Sequence, residues 1–240
     1  MKRLRHIMIL TAIFISICNT PLVHGAEKSV ESYTELTASE LDAFIERMTV
    51  NLQSVKNLKS EFIQERHLSM FLDVLSAKGS LYFETQDKLR WELKEPYSSI
   101  LIFNGGYIAK FNLENGKYVR MNLGMEDMFR ESLRQILSIM RWDFKKVRED
   151  YKITILKGGD YNLVMRPVST GMARIIKSLV LSIDPKSNYI TKIIINEPHG
   201  DYIEIRFSGQ EENRSFNQHL FDINNPLTQH HSESTLNKSK

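Results

Sequence analysis

The residues able to do chemistry in this chain are seven histidines, one cysteine and scattered carboxylates, and their spacing builds no reaction centre. His6 and His24 lie in an N-terminal leader, His219, His230 and His231 near the C-terminus, and His67 and His199 at expected strand ends. None stands at metal-ligand spacing from another donor, so no metal site is expected. No G-x-S-x-G elbow, P-loop, H-E-x-x-H or G-x-G-x-x-G occurs, which leaves no nucleophile–base set and no nucleotide cradle. Asp201 follows Gly200 at the start of a strand, where turn chemistry accounts for it. Cys18 is in the leader, so the mature chain would carry no thiol for catalysis, disulfides or metal. No catalysis and no cofactor are expected. Lys145, Lys146 and Arg148 form a short basic run, read as a solvated face, with docking to an anionic partner as the alternative.

What the spacing does build is apolar faces. Leu89, Trp91 and Leu93 alternate with Arg90, Glu92 and Lys94, the pattern of an antiparallel strand with one dry and one wet face. Ile203, Ile205 and Phe207 alternate with Glu204 and Arg206. Tyr151, Ile153 and Ile155, and then Tyr161, Leu163 and Met165, continue it. Ile100–Phe103 is wholly apolar, so alternation assigns neither face there. Turn signals separate the runs, among them Asn104-Gly105-Gly106, Glu114-Asn115-Gly116 and Lys157-Gly158-Gly159-Asp160. Eleven strands are expected, at about 58–68, 74–84, 88–94, 98–103, 106–112, 116–121, 147–156, 160–166, 177–183, 189–196 and 201–208.

Three helices complete the reading. Thr37-x-x-Glu40 is a capping box, followed by Leu41, Phe44, Ile45, Met48, Leu52 and Val55 on one face. Residues 122–146 place Met125, Met128, Phe129, Leu133, Ile136, Leu137 and Met140 at helical spacing, with Arg130, Glu131, Arg134 and Gln135 opposite. A short helix is expected within 169–176. Residues 26–36 read as loose.

The leader defines the compartment. Residues 1–25 contain Lys2, Arg3 and Arg5, no acid, and an apolar stretch from Ile7 to Cys18. As a helix that stretch rises about 18 Å, short of the roughly 30 Å hydrocarbon core, so it reads as a cleaved secretory signal. Cleavage is expected after Gly25 or after Ala26. Removing the three leader charges from 32 basic residues leaves 29 against 29 acids. The net charge of +3 thus belongs to the leader, and a nucleic-acid footprint loses its support. The domain assignment is 1–25 signal peptide, 26–225 one globular domain and 226–240 disordered tail.

Eleven strands with an apolar face must curl, and the amphipathic helices are the available plug. So few helices imply a tight core or a surplus apolar cavity. Four of the eight methionines beyond the leader fall within 121–140. Burial as ordinary core is the default reading of one helical face, and the alternative is a ligand lining, since flexible, polarizable side chains suit a surface that repacks around variable apolar ligands.

The ordered series Phe62-x-Gln64, Gly79-x-Leu81-x-Phe83, Leu89-Arg90-Trp91-Glu92, Pro96 and Ile100-Leu101-Ile102-Phe103-Asn104-Gly105 resembles the LolA-like outer-membrane lipoprotein carrier family. The resemblance continues through Arg166-Pro167 and Gly200-Asp201-Tyr202 to Asn213, Phe216 and Phe221, covering roughly residues 38–225. It implies a mainly β fold, a half-open antiparallel β-barrel of about eleven strands closed by two or three helices. It implies a periplasmic, monomeric carrier that binds acyl chains of a lipoprotein or related envelope lipid. The donor would be an inner-membrane ABC transporter, and the acceptor would lie at the outer membrane. A lipid- or glycolipid-binding adaptor or sensor acting through a protein partner is the alternative. On this reading Leu81, Phe83, Leu89, Trp91, Leu93, Phe103, Phe111, Leu163, Met165, Ile203, Ile205 and Phe207 line the cavity. Met125, Met128, Phe129, Leu133, Ile136, Leu137 and Met140 form the lid. In the carrier an Arg-Pro pair follows the Gly-x-Leu strand and helps hold the lid shut. Here those positions are Thr85-Gln86, which lack the guanidinium fork, leaving Arg90 or Arg130 as candidate latches.

Overall fold

The computed structural model describes residues 33–123 and 143–226, apart from 53, 72, 86 and 218. In chain order the elements are β1 (Thr34–Glu35), α1 (Ala38–Leu52), β2 (Asn57–His67), β3 (Val74–Glu84), β4 (Lys88–Glu95), β5 (Ser99–Asn104), β6 (Tyr107–Glu114) and β7 (Lys117–Met121). There follow α2 (Phe144–Asp150), β8 (Tyr151–Lys157), β9 (Tyr161–Pro167), α3 (Thr170–Ala173), β10 (Ser178–Ile183), β11 (Ile190–Asn196) and β12 (Tyr202–Glu212). All twelve strands share one antiparallel sheet in the order β1-β8-β9-β10-β11-β12-β2-β3-β4-β5-β6-β7. Each expected strand is present. The ends of the order, β1 and β7, do not pair with each other, so the sheet is open rather than closed into a barrel.

Two hairpin meanders make this sheet, β2–β7 and β8–β12, and one ladder joins them. β12 pairs with β2 from Tyr202 opposite His67 to Glu212 opposite Leu58, with a bulge between Ser208 and Glu211. Gly209 in the bulge has φ +59°, a conformation that favours glycine and bends the strand.

Helix α1 has to cross the sheet. It leaves β1 at one edge and delivers the chain to β2, six strand positions away. Its fifteen residues rise about 22 Å, against about 29 Å for six flat strand spacings. Sheet curl and the flanking residues make up the difference. The capping box forms: Thr37 N donates to Glu40 Oε2 at 2.9 Å, and Glu40 N to Thr37 Oγ1 at 3.4 Å. Phe44 and Met48 are buried beneath the helix. The face they cover is called the inner face below.

Several expectations need correction. Residues 26–36 are not all loose, because Thr34 and Glu35 pair with Lys157 and Leu156, and Leu36 N donates to Ile155 O at 3.0 Å. The strand expected over 147–156 starts only at Tyr151. Phe144, Val147 and Tyr151 are all buried in the core at helical spacing, so the segment before Tyr151 coils to bury them. The third helix is one turn, Thr170–Ala173, with Ser169 Oγ accepting from Met172 N at 3.2 Å. Most of the expected second helix, residues 124–142, lies outside the described residues, as do residues 1–32 and 227–240.

The largest correction concerns Arg90 and Glu92, expected on a wet face. Both are buried, Arg90 to 2% exposure. Beyond β12, Asn213 turns the chain at φ +53°, its Oδ1 accepting from Lys56 N at 2.8 Å. The segment that follows lies across the outer face of β3–β6. There Leu220 and Phe221 bury against Tyr82, Ile100, Ile102, Ala109 and Phe111. The Arg90 guanidinium anchors it: Nε donates to Glu92 Oε2 at 3.0 Å, Nη1 to Leu220 O at 3.3 Å and Nη2 to Pro226 O at 3.0 Å. A buried guanidinium is tolerable only with its donors used, and this one spends them on the C-terminal segment. The parity of Ile100–Phe103 follows: Ile100 and Ile102 face the segment, Leu101 and Phe103 the inner face. Over β12 and β2 the outer face is polar. Glu65 and Glu204 stand directly opposite, and Arg206 bonds both, holding the Glu65 carboxyl below the usual range.

Arg90→Met should lower the unfolding free energy by about 3–5 kcal/mol, because Glu92 loses its buried partner. In hydrogen exchange the amides of residues 219–223 should then exchange faster; an unchanged denaturation midpoint rejects the anchoring role. A second expectation concerns alkaline pH. Burial, with the Asp150 charge adding to it, pushes the Tyr151 phenol from 10.0 up to about 12. The unfolded chain ionises first, so the stability present below pH 10 is lost as pH rises towards 12, by about 2–3 kcal/mol. Tyr151→Phe should flatten that part of the stability–pH curve.

Candidate functional site

Residues directly opposite on neighbouring strands share a face, so the register writes out the inner face as rows. Phe83, Leu89, Phe103 and Ile108 form one row across β3–β6. A second runs across seven strands: Ile155, Leu163, Leu181, Ile193, Ile205, Gln64 and Ala77. The inner face is therefore largely apolar through both meanders and under both α1 and α2, with Gln64 the polar member of the second row.

Of the expected lining residues, Leu81, Phe83, Leu89, Leu93, Phe103, Leu163, Met165, Ile203 and Ile205 are buried together on this face. Trp91 and Phe207 are partly buried against it. Phe111 is not there. It packs on the outer face with Leu220 and Phe221, because Ile108 and Lys110 take the inner positions of β6. The expected lid residues Met125, Met128, Phe129, Leu133, Ile136, Leu137 and Met140 lie outside the described residues.

An aromatic cluster stands at the centre. The Phe62 and Trp91 ring centroids are 4.0 Å apart, with Phe207 at 6.5 Å from the first and 6.4 Å from the second. Gly79 is directly opposite Phe62, and a Cβ there would collide with the Phe62 ring and the Glu92 carbonyl oxygen. The glycine lets the ring lie flat on the neighbouring strand.

Polar groups interrupt the face along β2, and the sequence reading missed them. Ser60, Gln64 and Arg66 share Phe62's side of the strand. Gln64 Oε1 and Arg66 Nη1 are buried without a hydrogen-bond partner among the described residues. Arg66 Nη2 donates to Glu197 Oε1 at 3.1 Å. On β6, Lys110 stands opposite Leu101, and burial pushes its ammonium pKa down. Alternation from Phe62 signals the β2 set; nothing in the period marks Lys110 as desolvated. Such a face offers broad apolar contact with a few polar atoms. Among the described residues no group of three His, Asp or Glu could hold a metal ion.

A family model described as "Outer membrane lipoprotein carrier protein LolA" matches residues 53–224. The chain belongs to the LolA family. No curated protein matches the sequence. Similar solved structures include a LolA superfamily protein from Nitrosomonas europaea, at 9% identity and TM-score 0.38 over 75% of this chain and 96% of that one. LprF from Mycobacterium bovis matches at 11% identity and TM-score 0.42, over 79% of this chain and 98% of that chain. The MucA/MucB complex of Pseudomonas aeruginosa gives 10% identity and TM-score 0.46, over 76% of this chain and 60% of that one. In this LolA-family protein Thr85 stands where the resemblance implies an arginine. Thr85 binds the Lys56 carbonyl, from N at 3.0 Å and from Oγ1 at 3.2 Å, and so ties β3 to the start of β2. Arg90, one substitute considered for the latch, is committed to the outer face. Arg130, the other, lies outside the described residues.

Gly79→Ala should cost about 1–3 kcal/mol of stability by overpacking the Phe62 ring, read as a lower denaturation midpoint. An unchanged midpoint would show that the ring and strand yield without cost.

Proposed function

We propose that this protein is a non-catalytic periplasmic carrier that holds the acyl chains of a lipoprotein or related envelope lipid against its inner face. It acts as a monomer. It takes its cargo from an inner-membrane ABC transporter and moves it towards an acceptor at the outer membrane. Residues 1–25 are the export signal, 26–225 the carrier domain and 226–240 a tail. Residues 122–146 supply the lid over the face lined by Leu81, Phe83, Leu89, Trp91, Leu93, Phe103, Leu163, Met165, Ile203, Ile205 and Phe207.

The observation that carries this reading is the continuity of the apolar rows across both meanders, in a chain of the LolA family. Hydrocarbon transfer is the chemistry such a face favours: each buried methylene is worth about 0.8 kcal/mol, so a 16-carbon chain offers roughly 12 kcal/mol before ordering costs. Transfer needs no reacting group, only sites of graded affinity. The polar groups of β2 add hydrogen-bonding capacity beside the hydrocarbon.

Native mass spectrometry of the mature protein from its own periplasm, with lipid extraction, should find a co-purifying acylated peptide or envelope lipid. In a fluorescent acyl-probe titration, Trp91→Lys should weaken binding by about tenfold or more, because a charge then faces the chain. Phe111→Leu, on the outer face, should bind like the wild type. A folded Trp91→Lys protein with unchanged affinity rejects the inner face as the site. An empty protein that also fails to bind the probe favours the adaptor reading.

A further inference from the structure

The β2–β3 hairpin projects beyond its neighbour. β4 ends with Glu95 opposite Lys78, whereas β3 continues to Val74. The four extra residues carry the hairpin about 13 Å past the end of β4. At its tip Met70 is 88% exposed and Phe71 65%. Two large apolar side chains are exposed at the tip, which overhangs β4 on one side and is flanked on the other by β12 as far as Tyr202 opposite His67.

The tip is held in shape. Phe71 N donates to Leu68 O at 2.9 Å and closes the turn. Asp201, in the turn between β11 and β12, braces it: its Oδ1 accepts from Ser69 N and from Ser69 Oγ, each at 2.8 Å. These bonds hold the Asp201 carboxyl below its ordinary value. Val168, directly after β9, is also exposed at this end. From 68 to 77 the only charge is Asp73.

We infer that Met70 and Phe71 form an anchor that inserts into the interfacial zone of a lipid bilayer. Size and charge choose this occupant. A specific protein interface needs roughly 800 Å² per partner, more than two adjacent exposed side chains supply. A bilayer interface asks for no complementary shape. It takes up apolar side chains from a projecting tip while the polar flanks stay in water. With one charge on the tip, the attachment is apolar rather than electrostatic, so it tolerates salt. The anchor brings one end of the sheet to a membrane and does not depend on which cargo the inner face holds.

The test uses the mature protein, free of cargo, and vesicles of phosphatidylethanolamine and phosphatidylglycerol, sedimented at low and at high salt. The wild type should sediment with vesicles at both. Met70→Ser with Phe71→Ser should reduce the bound fraction by about tenfold. Both positions are exposed, so the variant should keep the wild-type denaturation midpoint and acyl-probe affinity. Retained probe affinity separates failure of the anchor from failure of the carrier reading. Phe71→Trp gives a local readout: its emission should shift to the blue with vesicles and be quenched by brominated acyl chains. A wild type that stays in the supernatant, or a serine variant that binds equally, overturns the proposal. So does self-association without vesicles that the serine variant abolishes, which would give the tip to a second copy.

Discussion

Everything in this structure depends on one ladder, the pairing of β12 with β2. Without it the chain is two meanders, β2–β7 and β8–β12, each with one further bare edge of backbone donors and acceptors. With it, the rows of inner-face side chains run unbroken from Ile155 to Ala77. The ladder also fixes where α1 can lie, because that helix must start beside β8 and finish at the foot of β2. The length of α1 and the width of the sheet are therefore not independent.

The two faces meet different demands. The inner face is apolar apart from the polar set of β2 and Lys110, and takes its covers from α1 and α2. The outer face is divided. Over β12 and β2 it carries ion pairs in contact with water, which contribute little stability, and there Arg206 offsets the repulsion between the facing carboxylates of Glu65 and Glu204. Over β3–β6 it is a second small core, roofed by the C-terminal segment and tied down through Arg90. This sheet is thus buried on both sides along about a third of its width, which leaves the inner face as the side open to the proposed cargo.

Much of this was legible in the residues, and the failures have physical causes. Alternation around Leu89, Trp91 and Leu93 and the turn glycines located the strands, and Thr37-x-x-Glu40 located α1. β1 could not be read because two residues show no period, and only its partner Leu156–Lys157 defines it. Tyr151 belongs to both a helical and an alternating series, so the boundary between α2 and β8 was invisible. Arg90 misled because alternation reports which side a residue faces, not what covers that side. Phe111 misled because Lys110, a residue that ordinarily seeks water, holds an inner position. The identity of the inner face was legible; the roof over the outer one was written some 130 residues away.

That distance has a consequence for how the molecule comes into being. The last strand and the outer roof are both supplied by residues after 201, yet each mates with strands made of residues before 112. Contacts so remote in the chain must wait for loop closure, and sheets built from them form slowly. A chain growing from its N-terminus holds β2 without its partner and Ile100, Ile102 and Phe111 without cover until synthesis is almost complete. The architecture thus postpones its own completion until its final segment has been made.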